Sequence, residues 1–345
     1  MKITHLILIM SLFSRFLSAG EFSVLQFNIW QEGTSVPEGF EKIVDIIIAS
    51  KADIVALSEV RNYKKQDFHK KLIAALKAKG HTFYGEYAGG DAGLISRFPI
   101  RKSFIIDDQT SKDRGCIIGY IIQIAEQEVL LASAHLDYKN YSVYLPRGYK
   151  GGNPDFKMID KDKDGKPDPV KDLKQILECD RQSLRDESLR AFTAFAKEYK
   201  NMPVILAGDF NEASHLDWTE STKNMFDHNG MVISWPNSKH LYANGFTDAF
   251  RELYPDPVKN PGMTWPSTAY KKKSTTWTPL ADERDRIDFI YYNKNKLQAK
   301  DAVLVGPADY CVKKGITKSG EKFLLKEMPW PSDHKGLLVK FILKN

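Results

Sequence analysis

Apolar residues in this chain fall into short runs that end abruptly in a polar side chain. Val204-Ile205-Leu206-Ala207-Gly208 leads into Asp209, with Asn211 two places on. A run of that length and composition predicts a buried strand. Residues 22–27 lead in the same way into Asn28, 54–58 into Glu59, and 129–134 into His135 and Asp137. A carboxylate at the end of a buried strand is costly unless something pairs with it. One such ending could simply start a turn, because Asp and Asn bond their own backbone. The repetition predicts that several strands deliver polar groups to one site, at the carboxyl ends where open α/β sheets place theirs.

Helical spacing appears at Phe40, Ile43, Val44, Ile47 and Ile48. It recurs at Phe68, Leu72, Ala75 and Leu76, led by the basic stretch 61–71 and stopped by Gly80, and again at Leu189, Phe192, Phe195, Ala196 and Tyr199. Further strands are predicted over 81–87, 92–97, 117–124, 287–292 and 337–343. Strands and helices do not alternate strictly, which predicts an α/β fold with mixed sheets. Residues 138–176 are rich in Gly, Pro and Asp and long for a connection, so they read as a functional insert. Residues 212–283 read as irregular and contain Trp218, Trp235, Trp265 and Trp277. Because both halves feed one polar site, residues 21–345 read as one domain.

Composition changes this picture little. The chain has 345 residues, 42% hydrophobic and 27% charged, which is globular. Its net charge of +6 includes Lys2 and Arg15 of an N-terminal leader, and the remainder permits an anionic partner without demanding one. Residues 1–20 read as a secretory signal. Lys2 opens it, 6–17 is an apolar core interrupted by Arg15, and Ser18-Ala19-Gly20 suits cleavage. The core is too short to span a membrane. Glu21 stands where a lipoprotein would carry Cys, so no lipid anchor is expected, and no other segment is a transmembrane candidate. An exported protein, periplasmic or secreted, is expected, with a monomer as the simplest state. Cys116, Cys179 and Cys311 lack metal-site spacing and allow at most one disulfide.

The candidate chemistry lies in Asn28, Glu59, His135, Asp209, Asn211, Asp288, Asp333 and His334. Such an oxygen-rich set without cysteine suits Mg²⁺ or Mn²⁺ rather than structural zinc. A hard cation beside two histidines fits phosphate ester hydrolysis, where charge is neutralised and a base activates water. Taken singly, His135 would be a satisfied core histidine, and Asp288 an ion-pair partner for Arg284 or Arg286.

In order along the chain stand Phe27-Asn28-Ile29-Trp30, Leu57-Ser58-Glu59-Val60, Gly93-Leu94-Ile95-Ser96-Arg97-Phe98-Pro99-Ile100, Ser133-Ala134-His135-Leu136-Asp137, Gly208-Asp209-Phe210-Asn211, Asp288 and Ser332-Asp333-His334. This ordered set resembles the endonuclease/exonuclease/phosphatase superfamily, the deoxyribonuclease I-like fold. The resemblance implies a four-layered α/β sandwich, two facing mixed sheets with helices outside and the site at one edge. It implies Glu59 as principal metal ligand with Asn28 and Asp333 assisting. Asp209 would orient or deprotonate water, and Asn211 would hold a phosphate oxygen. His334, oriented by Asp288, would stabilise the phosphoryl group or act as acid/base. His135 would be a proton donor to the leaving group. His135 also argues against the abasic-site endonucleases, which usually carry Tyr in the neighbouring role.

The expected activity is metal-dependent phosphodiester hydrolysis, nuclease-like. A lipid phosphodiesterase resembling sphingomyelinases, a phosphomonoesterase, and a silent phosphate-ligand-binding protein stay open as alternatives. Arg284-Asp285-Arg286-Ile287-Asp288 has the Asp-Arg-Ile of the phosphatase branch but not its Cys. Separately, Asp160, Asp162, Asp164, Gly165 and Asp168 match positions of a calcium loop and predict a structural Ca²⁺ in the insert. Lys171 stands where an EF-hand wants Glu.

Overall fold

The structure, a computed structural model, describes residues 20–152 and 156–344. Apart from Gly20, the leader expected over 1–20 lies outside the described residues. The strands are β1 (Glu21–Asn28), β2 (Ile54–Ser58), β3 (Tyr84–Gly85), β4 (Ala92–Ser96), β5 (Ile100–Asp108), β6 (Cys116–Ile124), β7 (Gln127–His135), β8 (Val204–Asp209), β9 (Phe246–Asp248), β10 (Asp288–Asn293), β11 (Leu297–Val305), β12 (Asp309–Val312), β13 (Gly315–Lys318), β14 (Phe323–Leu324) and β15 (Gly336–Leu343). The helices are α1 (Gly39–Ser50), α2 (Phe68–Ala78), α3 (Leu173–Arg181), α4 (Arg185–Glu198), α5 (Pro236–Ala243) and α6 (Ala249–Leu253).

One large sheet runs β14-β11-β15-β1-β2-β4-β3 and the other β5-β6-β7-β8-β10-β9, while β12 and β13 pair apart from both. Both are mixed: β1 pairs with β2, and β7 with β8, in parallel, while β15 and β10 join antiparallel. Strand alternation sorts the side chains into layers. Phe22 and Val24 of β1, Ile54 and Ala56 of β2, Leu131 of β7 and Ile205 and Ala207 of β8 form the core between the sheets. Leu25, Phe27, Val55 and Leu57 face the other way and pack on Ile43, Ile47, Phe68 and Leu72 of α1 and α2. Leu130, Ala132 and Leu206 pack on Leu189, Phe192 and Leu241 of α4 and α5. The result is the four-layered sandwich.

The same alternation builds the site. Asn28 lies on the face of Phe22 and Val24, Ser58 on that of Ile54 and Ala56, and His135 on that of Leu131. Asp209 continues the face of Ile205 and Ala207. The inner core therefore turns polar at one edge of the sandwich.

The apolar pattern predicts neither β5 nor β11. Both carry bulges, at Ile100/Lys102 and Ile105/Asp107 and at Ala299/Asp301, which break the two-residue period. The strand expected over 81–87 is only Tyr84–Gly85, at a sheet edge. The helix led by the basic stretch starts at Phe68, where Asp67 caps it by accepting from Lys70 N. The segment 212–283 is not wholly irregular, since it holds α5, β9 and α6.

The insert has its own core. All six residues of the 3-10 turn Ser142–Arg147 are buried. Tyr141, Tyr144, Leu145, Val170 and Ile176 pack with Trp218, Trp235, Trp265 and Ile287. Arg147 is buried and forms an ion pair with Asp285. The three cysteines are free thiols.

Candidate active site

The polar edge is built around Asp209, at the end of β8 and buried. Its Oδ2 accepts from Asn28 Nδ2 at 2.9 Å, and the same amide donates to Glu59 Oε1 at 3.1 Å. The backbone N–H of Asp209 donates to Ser58 Oγ at 3.2 Å, and that hydroxyl donates to Ala134 O at 2.8 Å. Four strand ends, of β1, β2, β7 and β8, are thereby tied together across the two sheets. Glu59, just past β2, has φ +68°, and Asn211, just past β8, has φ +49°. Left-handed backbone at non-glycine residues costs energy and clusters at sites where side chains must be aimed.

Two histidines point at Asp209. His334 Nε2 lies 3.7 Å and His135 Nε2 4.0 Å from Asp209 Oδ2. Each ring is held from behind. His334 Nδ1 is 2.9 Å from Asp288 Oδ2, whose other oxygen accepts from Gln26 Nε2 at 2.8 Å. His135 Nδ1 is 2.8 Å from Asp91 Oδ2, and Arg61 Nη1 reaches the same oxygen at 2.8 Å. Burial opposes charge on both rings, but the carboxylates outweigh it. His135 is carried up to about 9 by Asp91, then Asp209 and Glu59. His334 is raised well above the ordinary value by Asp288 and Asp209. Both shifts favour the imidazolium form, in which Nδ1 and Nε2 are both donors. Asp209 is pushed up to about 6, by burial first and then by Asp288.

Asp288 is thus not the ion-pair partner of Arg284 or Arg286. Arg286 binds Asp217 and Asp248, and Arg284 binds Asp282. Ligand-type atoms of Asp209, Asp288 and His334 lie within 4.8 Å of one another and could hold a metal. Asp288 Oδ2 holds the His334 ring at Nδ1, so this trio reads as an oriented histidine. A second cation position fits better. Asp333 is buried, its Oδ1 has no hydrogen-bond partner, and burial together with the nearby Glu59 charge pushes it up to about 8. An unpartnered carboxylate oxygen beside a second carboxylate is what a hard cation would satisfy. Asn211 is fixed by Nδ2 donating to Leu136 O at 3.0 Å and lines the same cavity as Glu59, Asp209, Asp333 and both histidines.

Sequence reading missed Asp91 and Arg61 as site residues. Asp91 precedes β4 rather than ending a strand, and Gly89-Gly90 before it reads as a plain turn. In the sequence Arg61 is only the head of a basic stretch. The calcium-loop carboxylates lie elsewhere. Asp160 accepts from Asp164 N at 3.0 Å and Gly165 N at 3.1 Å, Asp164 from Lys166 N at 2.9 Å, and Asp168 from Lys161 N. Neither these three nor Asp162, which is exposed, lines the cavity.

A profile of the Endonuclease/Exonuclease/phosphatase family matches residues 25–334. The chain belongs to this family. An uncharacterized protein of Caenorhabditis elegans is 30% identical over 281 residues, 78% of this chain and 77% of its own length. Among solved structures, an endonuclease/exonuclease/phosphatase from Beutenbergia cavernae superposes with TM-score 0.53 at 16% identity, covering 94% of this chain and 72% of that one. D. rerio TDP2, complexed with single strand DNA product, gives 0.50 at 18%, covering 93% and 98%. At these identities the structures speak to the fold alone. Members of the family are generally hydrolases of phosphoesters that use divalent metals.

Proposed function

We infer that the protein is an exported, divalent-metal-dependent phosphoesterase that hydrolyses phosphodiester bonds. The observation that carries this reading is the convergence of two histidine Nε2 atoms on one buried carboxylate, each ring held by its own acid. Glu59, with Asn28 and Asp333 beside it, would hold Mg²⁺ or Mn²⁺. Bound there, the cation neutralises phosphoryl oxygens.

The chain's own residues do the rest. Asp209, ionised at neutral pH, orients the attacking water and takes its proton. Water's oxygen bonds to phosphorus as the bond to the leaving oxygen breaks. His135, cationic at Nε2, donates a proton to that leaving oxygen. His334, held by Asp288, faces the charge that develops on the phosphoryl group. The Asn211 amide has a second N–H for a phosphate oxygen, and Arg61 adds positive charge to the cavity wall. The acid on each Nδ1 keeps Nε2 protonated and aimed.

The TDP2 structure with a single strand DNA product points to nucleic acid as the first substrate to try. Hydrolysis of an unpaired oligodeoxynucleotide in Mg²⁺ tests the reading. Cleavage abolished by chelator and by His334→Ala supports it, whereas cleavage that survives His334→Ala puts the chemistry elsewhere. Recovery of the mature chain outside the cytoplasm tests export. Among the described residues no helix is long and apolar enough to cross a membrane.

A further inference from the structure

The catalytic groups lie at the bottom of a cavity of about 610 Å³. Small-ligand sites span roughly 300–1,000 Å³, so this one has room for a nucleotide unit. The wall above the floor is aromatic. Its most exposed ring is Trp277, 59% exposed. Phe156 of the insert stands edge-on to Trp277, with centroids 5.8 Å apart and planes at 70°, and edge-on to Tyr144 at 5.2 Å and 90°.

This rim is anchored from inside. Glu283 is buried and accepts from Trp277 N at 2.8 Å, Thr278 N at 3.2 Å and the Tyr144 hydroxyl at 2.7 Å. One carboxylate thus joins the backbone of Trp277 to the insert. A large flat ring left in solvent while its backbone is pinned is a contact surface. Nucleobases stack on such rings whatever their sequence. A base inside a duplex cannot offer a face without leaving its stack.

We propose that the rim of Trp277 and Phe156 selects the terminal nucleotide of an unpaired strand, the end base stacking on the rim while its diester reaches the floor. This rests on the phosphodiesterase reading above. The reaction stays a hydrolysis in which water's oxygen bonds to phosphorus, the bond to the neighbouring nucleotide breaks, and the leaving oxygen gains a proton. Glu283 is a positioning residue for the rim.

The test compares a short linear oligodeoxynucleotide with the same sequence closed into a circle and with its duplex, all in Mg²⁺. The linear strand should be shortened from an end, with circle and duplex at least roughly tenfold slower. Trp277→Ala should raise KM for the linear strand roughly tenfold while kcat holds, because stacking on one exposed ring is worth about that factor. Equal rates on circle and linear strand, or an unchanged KM, overturn the proposal. A second readout needs no turnover. With His334→Ala as background and chelator present, a dinucleotide should quench tryptophan fluorescence, and Trp277→Phe should remove most of that quench. Quenching without hydrolysis of any phosphodiester would keep the rim assignment and sink the phosphodiesterase reading. Hydrolysis of sphingomyelin vesicles with no oligonucleotide quench or cleavage would do the reverse.

Discussion

The floor and the rim of the cavity are built by opposite means. Floor residues sit at strand ends, where the pleat decides direction: Asn28, His135 and Asp209 continue the inner faces of their strands, and neighbouring strands fix their spacing. Rim residues sit on segments with little regular structure, held by a satellite core and by single buried groups such as Glu283 and Arg147. A floor made by two sheets can be shared by enzymes with different substrates, whereas a rim made by irregular segments is free to differ. Chemistry and selectivity should therefore fail separately when each is damaged.

The largest separation is expected at the floor. His334→Ala or Asp209→Asn should lower kcat for a linear oligonucleotide by roughly 10³-fold with little change in KM, because an acid/base or charge-stabilising group acts mainly in the transition state. Steady-state kinetics checks this; a change confined to KM would move these residues out of the chemistry. Chelation should stop turnover, and Glu59→Gln should raise the Mg²⁺ concentration needed to restore it, read from a metal titration. Asp91→Asn should cost roughly 10²-fold in kcat, because it leaves His135 without the charge that keeps Nε2 protonated. The effect should also appear in the pH–rate profile, as a basic limb shifted downward from about 9. An unshifted limb would assign Asp91 a packing role only.

At the rim the effects shrink and move to KM, as for Trp277→Ala. A further effect is expected on stability. Burial pushes Glu212 to about 8 and Glu283 to about 7, from an ordinary 4.5. A carboxyl group with a raised folded value is most stabilising while protonated in both states. Stability should therefore be full below about pH 4.5 and fall as pH rises through 7 and 8. Thermal unfolding at several pH values should show this decline, and Glu212→Gln should flatten it. An equal slope in that variant would mean Glu212 is held ionised by Arg185, 3.4 Å away.

How much was legible follows from the same contrast. Runs ending in Asn28, Glu59, His135 and Asp209 exposed the floor because strand period and buried polarity are local signals. Gly93, part of the motif set, also has a physical reason: a Cβ there would come within 2.3 Å of His69 Nε2 in the core. Asp91 escaped because its role exists only once β4 and β7 bring it to His135. The strands β5 and β11 escaped because bulges erase their alternation. The insert read as polar because its buried residues, Tyr141, Tyr144 and Leu145, have no period and find partners only across the fold in Trp218, Trp235 and Trp265. The carboxylates of 160–168 were legible as a pattern, and three of them now bond their own loop backbone.

The most direct test measures kcat and KM for one linear oligonucleotide in Mg²⁺ with the wild type, His334→Ala and Trp277→Ala in parallel. The floor-and-rim account predicts a collapse of kcat in His334→Ala and a rise of KM alone in Trp277→Ala. Full kcat in His334→Ala, or matching losses of kcat in both variants, would contradict it.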